Sequence, residues 1–333
     1  MDYLKIGKAA ELSGYDKKLY RALEMLPGFL SWATLLILIF LSYLKPVWAA
    51  YFIITFNVYW LLLVIFLGIH LLASYKKMKI NMDVDWEEKC RRLPPRVFEN
   101  GKKIGWEDIR HLIIFPTYNE GLEIIRPSIQ GIVDDGYPID KMIVVLAIEE
   151  RGGPEAFTRA KIIEKEFGWK FQKFLITIHP DGIAGEIKGK GANQAWAAGR
   201  VKEEIIDKEG IDYDKILASV FDIDTVARSG FFFCLTYKFL TVPNPYHASF
   251  QPIPMYHNNI WQAPFFARVA ASSNTFWQMM QQIRQEKLAT YSSHSMTWRA
   301  LTDIGFWSKN MVSEDSRIFW HCFCHYKGDY RVE

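Results

Sequence analysis

Met25 to Leu44 runs for twenty residues without a charged side chain, and Pro46 to Tyr75 runs for thirty more, with Lys45 alone between them. Each run is long enough, at about 1.5 Å per helical residue, to cross a hydrocarbon core of about 30 Å. The pattern predicts a two-helix transmembrane hairpin, with spans at about 25–44 and 47–73. A buried soluble hairpin would have to cover this whole stretch without the polar stripe that soluble helices carry. A cleaved signal peptide does not suit a run preceded by 24 residues. Lys5, Lys8, Lys17, Lys18 and Arg21 precede the first span, and Lys76, Lys77 and Lys79 follow the second. The positive-inside rule therefore puts the N-terminal segment 1–24 and everything beyond the hairpin on the cytoplasmic side of an inner or plasma membrane. His70, inside the second span, reads as a helix-packing residue ahead of a proton relay.

Half of the 333 residues are hydrophobic and only 23% are charged, which excludes a disordered chain. Four cysteines exclude a disulfide-stapled scaffold and suit a reducing compartment. The balance of 40 basic against 37 acidic residues gives no phosphate-binding surplus, so nucleic acid is not an expected partner. Residues 76–110 form a charged connector with a Pro94-Pro95 break, and Trp86 among its basic neighbours suits a headgroup surface. From residue 111 short apolar runs alternate with helical stretches: HLIIF (111–115), KMIVVLAI (141–148), FLITI (174–178) and KILASVF (215–221), with helical spacing over 120–135, 155–167 and 192–207. Such alternation predicts an α/β domain over 111–333 with a largely parallel sheet and helices on both faces. Ligands of such sheets bind beyond the carboxyl ends of the strands.

Polar residues collect at those ends. Pro116-Thr117-Tyr118-Asn119-Glu120 follows the first run, Glu149-Glu150-Arg151 the second and Asp222-Ile223-Asp224 the fourth. Two acids two apart at the end of a strand point to one face and can share Mg²⁺ or Mn²⁺ with a bound diphosphate; a solvated turn explains many isolated D-x-D tripeptides equally well. Lys188-Gly189-Lys190-Gly191-Ala192-Asn193 opens a predicted helix and offers cations and backbone N–H groups to a phosphate, or is an exposed loop. It lacks the Walker A spacing. Glu314-Asp315 follows Gly305-Phe306-Trp307 and also suits the acidic first turn of a helix. His321, Cys322, Cys324 and His325 are metal-ligand types, but zinc sites usually join two separated pairs.

PTYNE after the first strand, then KGKGAN, DIDT, GFW and SED, in that order, resemble the family 2 glycosyltransferases of GT-A fold, and more narrowly the membrane-embedded branch that contains cellulose and hyaluronan synthases. The resemblance covers roughly residues 111–320. It implies a Rossmann-like nucleotide-diphospho-sugar transferase domain and an inverting, metal-dependent transfer of a hexose from a nucleoside-diphosphate sugar to a polysaccharide or lipid-linked acceptor. Carried over by position, Pro116, Tyr118, Asn119 and Glu120 line the nucleotide pocket. Glu149 or Glu150 stands where the family has an Asp near the base, Lys188 or Lys190 approaches the diphosphate with Asn193 behind, and Asp222 sits near ribose and diphosphate. Asp224 holds the metal with Asp222, and Asp315 is the base with Glu314 beside it. Segment 291–307 corresponds to the acceptor side, where Ser292-Ser293-His294-Ser295 replaces the usual small turn. His294 either meets acceptor or phosphate or is structural, and Trp298 and Trp307 either stack on a sugar or pack against the sheet.

Polymer-making relatives also carry Gln-x-x-Arg-Trp after the acid, then further membrane helices. The chain ends at GDYRVE, 18 residues beyond Asp315, in what reads as the start of a strand, and is therefore expected to continue. Two alternatives stand beside the main reading: a non-processive transferase acting on polyprenyl phosphate or lipid, and a membrane-anchored nucleotide-sugar binding or scaffold protein with a degenerate site.

Overall fold

A computed structural model describes residues 6, 9–99, 101–256, 260–284 and 288–333. Lys5 and Lys8, two of the charges used to orient the hairpin, lie outside the described residues. The chain divides into two compact units, Met1–Lys77 and Met78–Glu333.

In the first unit α1 spans Gly14–Leu44 and α2 begins at Pro46 and runs to Met82. Each helix outruns its apolar run at one end, α1 beginning at Gly14 and α2 continuing to Met82. Both are long and apolar enough to cross a membrane. Pro46 starts α2 where its missing N–H costs nothing, and Lys45 N closes α1 on Leu41 O at 2.8 Å. Among the described residues no α1 side chain is buried, and in α2 only Ala49 and Ser74 are. Polar side chains within the spans turn back onto their own helix, Ser31 Oγ donating to Pro27 O (2.9 Å), Thr34 Oγ1 to Leu30 O (2.8 Å) and His70 Nδ1 meeting Phe66 O (2.8 Å). Such back-bonding satisfies these polar groups within the helix, as an apolar surrounding would require.

The second unit is mixed α/β around a seven-stranded sheet. Its strands are β1 (Arg110–Thr117), β2 (Met142–Glu149), β3 (Lys173–His179), β4 (Ile216–Val220), β5 (Ala248–Phe250), β6 (His294–Thr297) and β7 (Arg331–Val332). The order across the sheet is β3-β2-β1-β4-β6-β5-β7. The first four are parallel, with Leu112 beside Ile143 and Ala218, and β6 runs antiparallel to β4 with Val220 opposite His294. The four long strands coincide with the four apolar runs, as near-continuous Ile, Val and Leu must when both faces are covered. Two separate apolar clusters supply that cover. Ile113, Phe115, Val144 and Leu146 face one, while Leu112, Ile114, Val145 and Ala218 face the other.

The helices of this unit are α3 (Trp86–Arg92), α4 (Leu122–Val133), α5 (Gly153–Phe167), α6 (Lys190–Val201), α7 (Phe231–Thr241), α8 (Phe265–Gln281), α9 (Trp298–Ile304) and α10 (Glu314–His325). Of the expected connector 76–110, Met78 onward belongs to this unit. The half-buried Trp86 packs its ring on Tyr237 at 5.5 Å and donates its Nε1 to Asn81 O (3.1 Å). Cys90 is buried with its Sγ on Phe233 O (3.2 Å), and Arg96 reaches the last carbonyls of α7, Nη1 meeting Leu240 O at 3.2 Å. The connector is thus a clasp around α7.

Candidate active site

The carboxyl ends of β1, β2 and β4 and the start of α6 enclose a cavity of about 450 Å³, lined among others by Pro116, Tyr118, Glu120, Glu149, Arg151, Gly189, Lys190, Asp222 and Asp224. That volume falls in the range of small-molecule sites.

The loop after β1 is shaped by Glu120. Its Oε2 accepts from Thr117 Oγ1 (2.6 Å), Tyr118 N (2.7 Å) and Asn119 N (3.1 Å). Burial alone would favour the neutral acid, but these donors outweigh it and hold Glu120 below its usual value. Asn119 turns away from the cavity, its Oδ1 accepting from Arg159 Nη2 at 2.8 Å. Glu149 and Glu150 divide: Glu149 is buried and faces the cavity, paired with Arg151, whose guanidinium lies 4.4 Å from the Tyr118 ring centre. Glu150 turns outward and accepts from Asp181 N (2.9 Å).

The lysines divide as well. Lys188 pairs with Asp181 at 2.8 Å and borders a smaller adjoining space, whereas Lys190, the first residue of α6, reaches the centre. Gly189 precedes it at φ 147°, a backbone conformation open to glycine. Lys190 Nζ lies 2.7 Å from Asp222 Oδ1, 2.8 Å from Asp315 Oδ2 and 2.7 Å from Ser292 Oγ. Burial by itself would lower its pKa; the Asp315 and Asp222 carboxylates more than offset this and raise it. Asn193 is interior and does not line the cavity, its Nδ2 donating to Ala147 O (2.7 Å) beneath β2.

Asp222 and Asp224 both face the cavity, but not through the alternation of a strand. β4 ends at Val220, and the two acids sit on a turn closed by Thr225 N donating to Asp222 O at 2.8 Å. Ile223 O between them accepts from buried Ser128 Oγ (2.6 Å), which pins the turn to α4. Burial first, then the Asp222 charge, raise Asp224 above the usual aspartate value.

Asp315, in the first turn of α10, joins this group through Lys190 rather than by lining the cavity directly. Burial favours its neutral form, yet the His294 ring at 3.7 Å and the Lys190 ammonium together hold it below the ordinary range. His294 is itself buried. Burial lowers its pKa, Trp307 Nε1 donates to its Nε2 (3.3 Å), and the Nδ1 proton is left for Tyr291 O (2.8 Å). Glu314 is buried against Gly191, where an added Cβ would stand 2.8 Å from its Cγ, and burial with the neighbouring Asp315 charge raises its pKa to about 7.

His294, Trp298 and Trp307, which the sequence left open between acceptor contact and packing, are all interior. Trp298 packs on Phe306 at 5.4 Å and Trp307 on His294 at 6.1 Å, so none offers a face to a sugar. Arg151 and Ser292 are the lining and bridging groups not singled out from sequence. Arg151 had a signal, a cation directly after the strand-end acids; the role of Ser292 depends on a long-range contact. Among the described residues no group of three or more His, Cys, Asp or Glu side chains is placed to hold a metal by itself, the His321–His325 cluster included.

The chain matches no family model, and no curated protein matches it. Among solved structures it is similar to a mannosyltransferase of Pyrobaculum calidifontis in complex with GDP-mannose and Mn²⁺, with 13% identity and a TM-score of 0.45, covering 80% of this chain and 65% of that one.

Proposed function

We propose that the chain is an inverting, metal-dependent hexosyltransferase of GT-A type related to family 2, which moves a sugar from a nucleoside-diphosphate sugar to a polysaccharide or lipid-linked acceptor at the cytoplasmic face of an inner or plasma membrane. The observation that carries this reading is the joining of Asp222 and Asp315 by one ammonium, Lys190 Nζ at 2.7 and 2.8 Å, beside the cavity into which Asp224 and Glu149 also turn. The membrane part rests on α1 and α2 and on the lysines that flank them.

The donor set fits Mg²⁺ or Mn²⁺, being hard carboxylate oxygen from Asp222 and Asp224 on one turn, with Asp224 raised by burial and by its neighbour's charge. Two protein carboxylates leave room for the phosphate oxygens and waters that such ions favour. When bound, the ion would offset negative charge growing on the departing diphosphate. Tyr118, Arg151 and Glu149 hold the nucleoside end, and Lys190 with the first N–H groups of α6 holds the phosphate end. Asp315, kept ionised beside Lys190, takes the proton from the acceptor hydroxyl as that oxygen attacks the anomeric carbon. A single displacement from the face opposite the leaving group inverts the centre.

Release of nucleoside diphosphate from a panel of nucleotide sugars tests this. Asp315→Asn is expected to lower turnover by about 10²–10⁴-fold while nucleotide-sugar binding persists. Binding by the parent protein without any turnover, across the panel and with Mn²⁺ present, would favour the scaffold alternative instead.

A further inference from the structure

Ser293 holds a backbone conformation that serine seldom takes. Its φ is 62°, in the left-handed region that favours glycine, and it stands immediately before β6. A glycine would adopt this conformation without strain, so what serine adds here is its hydroxyl. The residue is buried and the hydroxyl is in use. Its Oγ accepts from Asp222 N at 3.3 Å and pairs with Thr225 Oγ1 at 2.9 Å.

Asp222 and Thr225 are the two ends of the turn that carries both acids, the turn that Thr225 N closes on Asp222 O at 2.8 Å. One hydroxyl thus staples that turn from end to end, while Ser128 Oγ, from α4, holds its middle at Ile223 O (2.6 Å). The segment that supplies Ser293 is anchored in its turn. Thr290 Oγ1 donates to Asp315 O (2.6 Å), Tyr291 N to Gln251 Oε1 (2.7 Å) and Ser292 Oγ to Asp222 Oδ2. A cation shared by two carboxylates on one turn feels any shift of that turn directly, because the distances it accepts from hard oxygen ligands are narrow.

We propose that Ser293 is a positioning residue whose hydroxyl fixes the Asp222–Thr225 turn, so that the Asp222 and Asp224 carboxylates are set for a divalent cation before one arrives. The inference rests on the metal-binding part of the proposed function. Ser293 acts through the turn and is not itself a ligand. Outer partners of this kind change metal affinity by about 10–100-fold. The strained backbone persists because the hydroxyl is held at both ends of the turn. Removing the side chain should therefore relax the loop and loosen the cation site together, a combination that a purely structural serine would not give.

The test compares the full chain with its Ser293→Gly, Ser293→Ala and Thr225→Val variants. Mn²⁺ is titrated in the presence of UDP and, separately, GDP, with bound ion read by electron paramagnetic resonance and folding read by thermal unfolding. Ser293→Gly and Ser293→Ala are both expected to weaken Mn²⁺ binding about tenfold or more, with Ser293→Gly melting no lower than Ser293→Ala. Thr225→Val leaves Asp222 N on the Ser293 hydroxyl and is expected to lose less. Parent-like affinity in Ser293→Gly overturns the proposal even if Ser293→Ala is weakened, because glycine keeps the conformation and lacks the hydroxyl. Should neither serine variant fold, Thr225→Val decides: a several-fold loss supports the proposal and parent affinity overturns it. A parent protein that binds Mn²⁺ no better than Asp224→Asn, with either nucleotide, overturns the metal reading and this proposal with it, whereas parent binding retained by all three variants overturns this proposal alone.

Discussion

Glu314 and Asp315 are neighbours whose pKa values are pushed in opposite directions. Asp315 has Lys190 at 2.8 Å and stays ionised; Glu314 faces Gly191 with little to solvate a charge, and its pKa rises from 4.5 to about 7. A carboxyl whose folded pKa lies above its unfolded one contributes stability below pH 4.5 that is lost as the pH climbs to about 7. Asp135 adds to the same slope, since burial raises its pKa to about 7 as well. Glu314→Gln is therefore expected to flatten, without abolishing, the fall in thermal midpoint across this window, and to exceed the parent protein at the alkaline end. Unfolding followed by circular dichroism at a series of pH values checks this.

Among the elements, the loops after β1 and β2 are packed together, and Gly152 is the point of closest approach. A Cβ there would lie 2.4 Å from Tyr118 O, a backbone atom that cannot step aside alone. Gly152→Ala is expected to cost about 1–3 kcal/mol in denaturant unfolding and to weaken nucleotide binding by moving Tyr118 from beneath Arg151. The four long strands were legible in sequence because burial on both faces requires unbroken apolar runs. β6 was not: His294-Ser295-Met296-Thr297 has no such run, and Ser295 is buried because its hydroxyl pairs with that of Ser219 at 2.7 Å. The convergence of Asp222 and Lys190 followed from strand ends sharing one side of a parallel sheet, whereas for Asp315, in the first turn of α10, only the family resemblance pointed there. Which of two adjacent residues faced inward did not follow, since Glu149 against Glu150 and Lys190 against Lys188 were decided by loop turns with no periodicity. The inward fate of Trp298 and Trp307 was equally hidden, because an aromatic ring suits a core and a sugar alike.

At the scale of the whole molecule, the two units divided between Lys77 and Met78 treat apolar surface differently. The first unit turns nearly all its apolar surface outward, whereas the second has its own core on both faces of the sheet. A fragment covering Met78–Glu333 is expected to fold cooperatively without the first unit, giving one sharp thermal transition and amide protection concentrated in β1, β2 and β4 by hydrogen exchange. Loss of that protection would mean that the helices of the first unit are required for the sheet.

The ammonium of Lys190, held between Asp222 and Asp315, gives the resting cleft its own internal counterion. On the proposed function an incoming divalent ion would have to compete with a tethered charge that never diffuses away, so the free protein is expected to hold stray cations poorly. A diphosphate would change the contest by drawing the lysine toward itself and adding oxygens of its own. Mn²⁺ titrated alone is accordingly expected to bind more weakly than in the presence of nucleoside diphosphate, with calorimetry reading the difference. Cation and nucleotide would then arrive as a pair, and the base would be released for work only when there is something to transfer.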